Sequence, residues 1–214
     1  MVVEAKICGL TRPEDARLAV ALGASWLGVV FAGGPRQVDV PRARAIVDAV
    51  DGVPVLGVFA GHDATAILDC CDAAGLSGAQ LHDGGTEEIA LQLASSGLLV
   101  WRVARMAGLE DLPLLGDAAR GADVVLVEPR LPNVPGGSGT PLDLSLALAA
   151  RQQVRGPRFA LAGGLTAERL PEALSLVQPD IVDVSSGVEH SAGIKSPERM
   201  KAFLEVVCGE QAGA

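Results

Sequence analysis

Two residues able to transfer protons fall at the ends of short apolar segments of this chain. Cys8 follows Lys6-Ile7, and Glu128 follows the segment Val124 to Val127. A thiol and a carboxylic acid at such positions can serve as general base and general acid. A lone cysteine is more often a small buried apolar residue, and a strand-end carboxylate can equally bind the amides of its own loop. Position alone leaves both interpretations open.

Two further polar residues end or follow apolar segments. Arg36 comes after Gly33-Gly34-Pro35, and His82 comes after Gln80-Leu81. An arginine there could hold a substrate carboxylate through two parallel N–H donors, and a histidine could contact a ligand. A solvated loop arginine and a structural histidine fit the same spacing about equally well.

Two turns rich in glycine and serine indicate an anion site. They are Ala162-Gly163-Gly164-Leu165 and Asp183-Val184-Ser185-Ser186-Gly187. Glycines without side chains let backbone amides approach phosphate oxygens closely, and serine hydroxyls add donors. Either turn alone would more often be a helix cap or a tight bend. Together they predict that Gly163, Gly164, Ser185, Ser186 and Gly187 bind phosphate.

Short apolar runs that could position these residues recur along the whole chain. They suit strands buried on both faces, and segments with helical spacing lie between them. The predicted strands are Val2 to Ile7, Trp26 to Phe31, Val53 to Phe59, Gly78 to Leu81, Leu98 to Val103, Val124 to Val127, Phe159 to Ala162 and Ile181 to Val184. The helical segments include Pro13 to Leu22, Pro41 to Val50, Ala64 to Ala74, Glu87 to Ser95 and Ala167 to Val177.

Eight strand-helix units allow a closed (β/α)₈ barrel or an open doubly wound sheet. Even spacing, and the lack of a G-x-G-x-x-G motif after the first strand, favour one TIM barrel domain over residues 1–214. In such barrels the site lies at the carboxyl ends of the strands, with phosphate often held after strands seven and eight. The two glycine/serine turns fall at those positions.

The ends of several helices carry recognisable signals. Thr11, Thr166 and Ser196 each precede proline or acid and are predicted to be N-caps. Gly23, Gly75 and Gly97 follow helical segments, where a left-handed residue often ends a helix.

Composition excludes several classes of partner. A net charge of -9 gives no basic surface for nucleic acid, while a small anion can still be bound by local amides. The four cysteines have neither disulfide-scaffold density nor C-x-x-C metal spacing, so we expect a reducing cytoplasm and no metal. An export signal or membrane span is not expected from the N-terminus or from any apolar run.

Taken together, the motifs resemble those of the phosphoribosylanthranilate isomerase family over nearly the whole chain. The matching motifs are Lys6-Ile7-Cys8-Gly9-Leu10-Thr11, Leu27-Gly28-Val29-Val30-Phe31 with Pro35-Arg36, Gly57-Val58-Phe59, Gln80-Leu81-His82, Gly136-Gly137-Ser138-Gly139, Leu161-Ala162-Gly163-Gly164-Leu165 and Asp183 to Glu189 with Gly193 and Lys195. Their order and spacing around one barrel make the resemblance specific.

The resemblance implies an Amadori rearrangement of N-(5-phosphoribosyl)anthranilate in tryptophan biosynthesis, without metal or organic cofactor. It implies that Cys8 is the general base and Glu128 the general acid. It also implies that Arg36 holds the anthranilate carboxylate and that Asp183 contacts the substrate near the reacting carbons. The expected partner is a small phosphorylated substrate, bound by a monomer or homodimer.

Glu128 departs from the family pattern, which has aspartate at this position. Its side chain is one methylene longer than that of aspartate. Two alternatives accompany the family prediction. One is the related histidine-pathway aminoaldose isomerase, which uses a pair of aspartates where this chain has Cys8. The other is a phosphate-binding barrel that has lost catalysis, for which Glu128 is the main argument.

Overall fold

Eight parallel strands close into a barrel in chain order in the computed structural model, which describes residues 2–130 and 140–212. The strands are β1 Glu4–Ile7, β2 Trp26–Val30, β3 Val55–Phe59, β4 Gly78–Leu81, β5 Leu99–Met106, β6 Val124–Pro129, β7 Arg158–Leu161 and β8 Ile181–Val184. Pairing of β1 with β8 closes the ring. The predicted TIM barrel is therefore confirmed.

Helices follow the strands on the outside of the barrel. They are α1 Pro13–Ala21, α2 Val40–Val47, α3 Ala64–Ala74, α4 Glu87–Ser95, α5 Leu114–Ala118, α6 Leu144–Gln153, α7 Leu170–Val177 and α8 Pro197–Ala212. A 3-10 helix, Ser186–Val188, and a small antiparallel hairpin, β9 Glu189–Ser191 with β10 Ile194–Lys195, stand between β8 and α8.

The apolar strand residues form two layers, as expected for strands buried on both faces. Inside the barrel, a small cluster is built around Leu56, Trp101 and Leu126. A larger cluster between the strands and the helices includes Ile7 and Phe159. Alternate residues of one strand enter different layers, and this alternation fixes which polar side chains can reach the barrel interior.

The predicted helix ends are correct where the local signal is strong. Gly23, Gly75 and Gly97 all have positive φ after their helices, and Ser196 accepts a hydrogen bond from the Arg199 amide as the N-cap of α8. The Thr11 prediction is wrong, because the N-cap of α1 is Arg12 and the Thr11 hydroxyl donates to the Gly193 carbonyl at 2.5 Å.

The prediction that Thr166 caps α7 is also wrong. A turn over residues 167–169 precedes the helix, which has Arg169 at its N-cap, and the Thr166 carbonyl accepts from the Leu170 amide. A tertiary contact replaces the local cap at Thr11, whereas a local turn replaces it at Thr166.

A buried arginine ties the outer face of β5 to its neighbours. Arg102 is 1% exposed and donates to the carbonyls of Gly84, Gly85, Asp117 and Arg120 and to the Asp117 carboxylate, over distances of 2.5 to 3.0 Å. Each of its five N–H donors thus has a protein acceptor.

Candidate active site

Strand alternation brings the predicted acid to the interior of the barrel mouth. Val124 and Leu126 of β6 belong to the interior cluster, so Glu128, two residues further on, faces the same side. β6 extends beyond the predicted run, through Glu128 to Pro129.

The predicted base reaches the same mouth from β1. The Lys6 ammonium contacts Asp183, its register partner on the neighbouring strand β8, and reaches across the barrel interior to Gln80 of β4. Cys8 comes two residues after Lys6 and therefore also faces inward, just beyond the end of β1.

A cavity of about 470 Å³ opens at this end of the barrel. Its lining includes every residue that the sequence predicts for the site: Cys8, Arg36, His82, Glu128, Gly163, Gly164, Asp183, Ser185, Ser186 and Gly187. The volume falls within the range of small-molecule sites, and the lining combines an apolar wall with a few polar groups. The structure thus brings together in one place residues spread over most of the chain.

A buried polar layer supports the Cys8 thiol from below. Lys6 is fully buried, and its Nζ donates to Gln80 Oε1 at 2.8 Å and to Asp183 Oδ1 at 2.9 Å. A Cβ at Gly28 would lie 2.9 Å from Cys8 Sγ and 3.2 Å from Lys6 Nζ, so the thiol and the ammonium are neighbours over this glycine. Any side chain at Gly28 would push them apart.

These neighbours act on the Cys8 thiol in opposite directions. Burial raises the pKa of Cys8 above its ordinary value, and the Asp183 carboxylate adds to that effect. The Lys6 ammonium, and more weakly that of Lys195, oppose it by favouring the thiolate. For Lys6 itself, burial alone would lower the pKa, but the charges of Asp183 and Cys8 outweigh burial and raise it. Lys6 is therefore a protonated cation beside the thiol.

The Glu128 carboxylate is held by a residue that was not among the predicted site residues. Arg105 of β5 pairs in register with Glu128, and its Nε donates to Glu128 Oε1 at 2.9 Å. His82 Nδ1 lies 3.7 Å from the same oxygen. Trp101 and Val103 of β5 face the barrel interior, and Arg105 is two residues further along the strand. The alternation of side chains therefore places Arg105 on the same side, at the barrel mouth.

Arg36 reaches the cavity with part of its guanidinium already bound. Its Nε and Nη2 donate to the two carboxylate oxygens of Glu189 at 2.8 and 2.7 Å. Glu189 also accepts from Lys195 Nζ at 2.9 Å, and Lys195 donates to the Cys8 carbonyl at 2.6 Å. The sequence predicts no role for Glu189 or Lys195 beyond their place in a family motif.

The two glycine/serine turns meet at the barrel mouth. A Cβ at Gly187 would lie 1.9 Å from the Leu165 carbonyl oxygen, and one at Gly163 would lie 2.3 Å from Pro129 Cδ. Gly163 and Gly164 have φ of +95° and +61°, which only glycine adopts easily. These glycines allow the loops after β7 and β8 to lie in direct contact.

Backbone amides in these turns are available to a ligand. Among the described residues, the amides of Gly163, Gly164, Ser186 and Gly187 donate to no protein acceptor. The Ser185 hydroxyl is likewise buried without a protein partner in that part of the chain. Several donors left open on facing turns form the arrangement that binds an anion.

The motif Gly136-Gly137-Ser138-Gly139 lies outside the described residues. Within the ranges 2–130 and 140–212, no group of three or more His, Cys, Asp or Glu side chains is arranged to hold a metal ion. Of the described helices, none combines the length and apolar character that crossing a membrane requires.

Comparison with known proteins gives one consistent result. The family profile of N-(5′-phosphoribosyl)anthranilate (PRA) isomerase matches residues 5–206. The N-(5′-phosphoribosyl)anthranilate isomerase of Pseudomonas aeruginosa strain UCBPP-PA14 is 38% identical over 207 residues, which cover 96% of this chain and 95% of that protein.

Solved structures agree. Phosphoribosyl anthranilate isomerase from Thermotoga maritima superposes with a TM-score of 0.86 at 33% identity and covers 97% of this chain and 99% of its own. A phosphoribosyl anthranilate isomerase in complex with reduced 1-(o-carboxyphenylamino)-1-deoxyribulose 5-phosphate gives 0.84 at 31% identity, with coverage of 97% and 99%.

Proposed function

Since the chain belongs to the N-(5′-phosphoribosyl)anthranilate isomerase family, we propose that Cys8 and Glu128 carry out the family's Amadori rearrangement in this protein. The enzyme is an aldose-ketose isomerase of tryptophan biosynthesis. It converts N-(5′-phosphoribosyl)anthranilate into 1-(2-carboxyphenylamino)-1-deoxyribulose 5-phosphate. The observation that carries the assignment of residues is the arrival of a thiol and a carboxyl group, from β1 and β6, at one cavity.

The reaction needs two proton transfers, one at each of these groups. Glu128, protonated, gives its proton to the furanose ring oxygen, and the C1–O bond breaks to leave a Schiff base between C1 and the anthranilate nitrogen. Cys8, as thiolate, then removes the proton from C2, and the electron pair moves to form an enolamine. Tautomerisation of the enolamine gives the ketone at C2. General acid and base groups near the reacting atoms supply this chemistry without a redox partner.

The polar layer below Cys8 supports its role as base. Burial raises the pKa of the Cys8 thiol, and the Lys6 ammonium beside it stabilises the thiolate that must form. Asp183 holds Lys6 at 2.9 Å and lines the cavity, so it can also contact the substrate near the reacting carbons.

Binding groups for the phosphate and for the anthranilate carboxylate both line the cavity. We assign the phosphate to the open amides of Gly163, Gly164, Ser186 and Gly187, with Ser185 adding its hydroxyl. We assign the anthranilate carboxylate to Arg36 and a neighbouring contact to His82, which lies 3.7 Å from the acid. The proposed reaction uses only groups of this chain and needs no metal or organic cofactor.

The direct test is fluorescence-monitored consumption of N-(5′-phosphoribosyl)anthranilate by the purified protein. We expect turnover without added metal or cofactor. The aminoaldose substrate of the histidine-pathway isomerase serves as the comparison, and preferential turnover of that compound would contradict the assignment. Binding of the phosphorylated substrate without turnover would instead identify a barrel that has lost catalysis.

We further propose a cytoplasmic location and one barrel domain over residues 1–214, present as a monomer or homodimer. Cys8, Cys70, Cys71 and Cys208 are all free thiols, which supports a reducing compartment.

A further inference from the structure

Glu189 holds together three parts of the active-site mouth that are distant in sequence. It begins β9, and its carboxylate binds the Arg36 guanidinium, the Lys195 ammonium and, at 3.3 Å, the Gly193 amide. Lys195 continues the contact to the Cys8 carbonyl at 2.6 Å and the Ser185 carbonyl at 3.2 Å. One carboxylate is thus linked to the base, the carboxylate-binding arginine and the phosphate loop.

The hairpin is built to place this carboxylate. Glu189 and Lys195 are register partners across β9 and β10, which puts the two side chains next to each other. At the turn, Gly193 has φ of +80°, its carbonyl accepts from the Thr11 hydroxyl, and a Cβ there would lie 3.3 Å from the Pro35 carbonyl. The hairpin therefore packs against the loops after β1 and β2.

Arg36 is fixed at both ends of its side chain. A Cβ at Gly9 would lie 2.6 Å from Arg36 Cδ, so the stem crosses directly over the residue after Cys8. The head is held by Glu189 through Nε and Nη2. Since a guanidinium has five N–H donors, the edge formed by Nη1 and the second Nη2 hydrogen remains for a ligand. Within the described part of the chain, no protein acceptor occupies that edge.

The charges at this point suit an anionic ligand. Burial would raise the pKa of Glu189, but Arg36 and Lys195 outweigh burial and lower it, so the carboxylate is ionised. Burial lowers the pKa of Lys195, against the opposing effect of Glu189. One anion facing two cations leaves a net positive charge beside the cavity when Lys195 is protonated.

We propose that Glu189 is a positioning residue that sets substrate specificity, by turning the free edge of Arg36 toward the carboxylate of the anthranilate ring. This proposal rests on the proposed function, because it takes Arg36 as the group that binds that carboxylate. Glu189 acts through Arg36 and touches no reacting atom. Its loss should weaken recognition of the carboxylate much more than recognition of the rest of the substrate.

The test compares two ligands on Glu189→Gln and on wild type. One is reduced 1-(o-carboxyphenylamino)-1-deoxyribulose 5-phosphate, and the other is the same compound without the carboxyl group. Glutamine replaces one of the two acceptor oxygens with an NH2 donor, so it cannot accept from Nε and Nη2 at two separate atoms, and the Kd of the carboxylated ligand should rise about tenfold or more. The Kd of the other ligand should change less than about twofold. Glu205→Gln, an exposed carboxylate on α8, is the matched control.

Arg36→Met supplies the second half of the experiment. In that background Glu189→Gln should add little further loss, because the residue through which it acts is gone. Glu189→Asp keeps the charge beside Lys195 but is shorter, so it should give the same ligand-specific loss even where Glu189→Gln folds poorly. Equal weakening of both ligands, or an undiminished loss in the Arg36→Met background, would overturn the proposal. Failure of wild type to bind either ligand would instead contradict the proposed function.

Discussion

The barrel mouth and the outer face of β5 both contain an arginine held by the protein, but the protein uses the two guanidinium groups to different extents. Arg102 gives all five donors to backbone carbonyls and to Asp117, and it does not line the cavity at the barrel mouth. Arg36 gives two donors to Glu189 and turns the rest toward the cavity. A saturated cation stabilises the fold, whereas a cation fixed on one edge only is ready for a ligand.

The same contrast extends to other groups at the mouth. The amides of Gly163, Gly164, Ser186 and Gly187 and the Ser185 hydroxyl are not used by the described residues, while backbone groups of the surrounding barrel pair along the strands. Buried polar groups are normally satisfied inside a protein, so a group of open donors in one place indicates where a ligand completes the structure.

Removing the catalytic groups should have the largest effect on turnover and should leave stability largely unchanged. We expect Cys8→Ala and Glu128→Gln each to lower kcat by about 100-fold or more, since each removes one proton transfer. Substrate binding and the melting temperature should be largely kept. Steady-state kinetics and thermal unfolding measure both quantities. Near wild-type turnover in either variant would show that its assignment is wrong.

Separating the two phosphate loops should have the next largest effect on catalysis. A Cβ at Gly187 would lie 1.9 Å from a backbone oxygen, so Gly187→Ala must push the loops after β7 and β8 apart. We expect the KM to rise about tenfold or more through weaker phosphate binding. Gly116→Ala in α5 is the control, because a Cβ there meets no atom within 4 Å. A KM unchanged from wild type in Gly187→Ala would argue against phosphate binding at these loops.

Shortening the acid tests whether its reach matches this barrel. Glu128 meets Arg105 at 2.9 Å, and Glu128→Asp withdraws the carboxylate by about 1.5 Å, the length of one carbon–carbon bond. We expect turnover to fall about tenfold, because a misplaced acid loses rate steeply. Kinetics of both proteins at several pH values provide the comparison. A clear gain of activity in Glu128→Asp would overturn the argument that the longer side chain compensates.

The smallest effect should be a shift in the pH dependence of kcat/KM. Lys6 lowers the pKa of Cys8 by favouring the thiolate, against burial and Asp183, which raise it. Lys6→Met removes the lowering influence, so the rise of kcat/KM with pH that reflects Cys8 should move to higher pH. The measurement is the pH profile of kcat/KM, on protein shown to be folded by circular dichroism. A profile that stays in place would mean that Lys6 has only a structural role.

Much of the barrel could be predicted from the sequence because its signals are local. Strands buried on both faces give largely apolar runs such as Ile181 to Val184, where only Asp183 is polar, and the structure has this strand at the predicted bounds. The helix α5, with five residues, and the hairpin β9–β10 are too short to show a period. Thr11 was misjudged because its hydroxyl binds Gly193, which is 182 positions away.

The site divides in the same way. Cys8, Glu128 and the glycine/serine turns could be located because they stand at strand ends, where a barrel gathers its site. The partners that hold them could not, because Lys6 contacts Asp183 177 positions away and Arg36 contacts Glu189 153 positions away. Such contacts depend on which strands become neighbours and how the hairpin packs, and these follow only from the complete fold.

The most direct test of the contrast between saturated and open cations measures Arg36→Met and Arg102→Met side by side. The quantities are the KM for N-(5′-phosphoribosyl)anthranilate and the free energy of unfolding. Arg36→Met should raise the KM about tenfold or more and should lower the free energy of unfolding less than Arg102→Met does, because Glu189 keeps the Lys195 ammonium as a partner. Arg102→Met should lower the free energy of unfolding by about 3 kcal/mol, because it removes a buried side chain that donates to four carbonyls and one carboxylate, and should keep the KM. A loss of stability in Arg36→Met with unchanged KM, or a raised KM in fully stable Arg102→Met, would contradict the account.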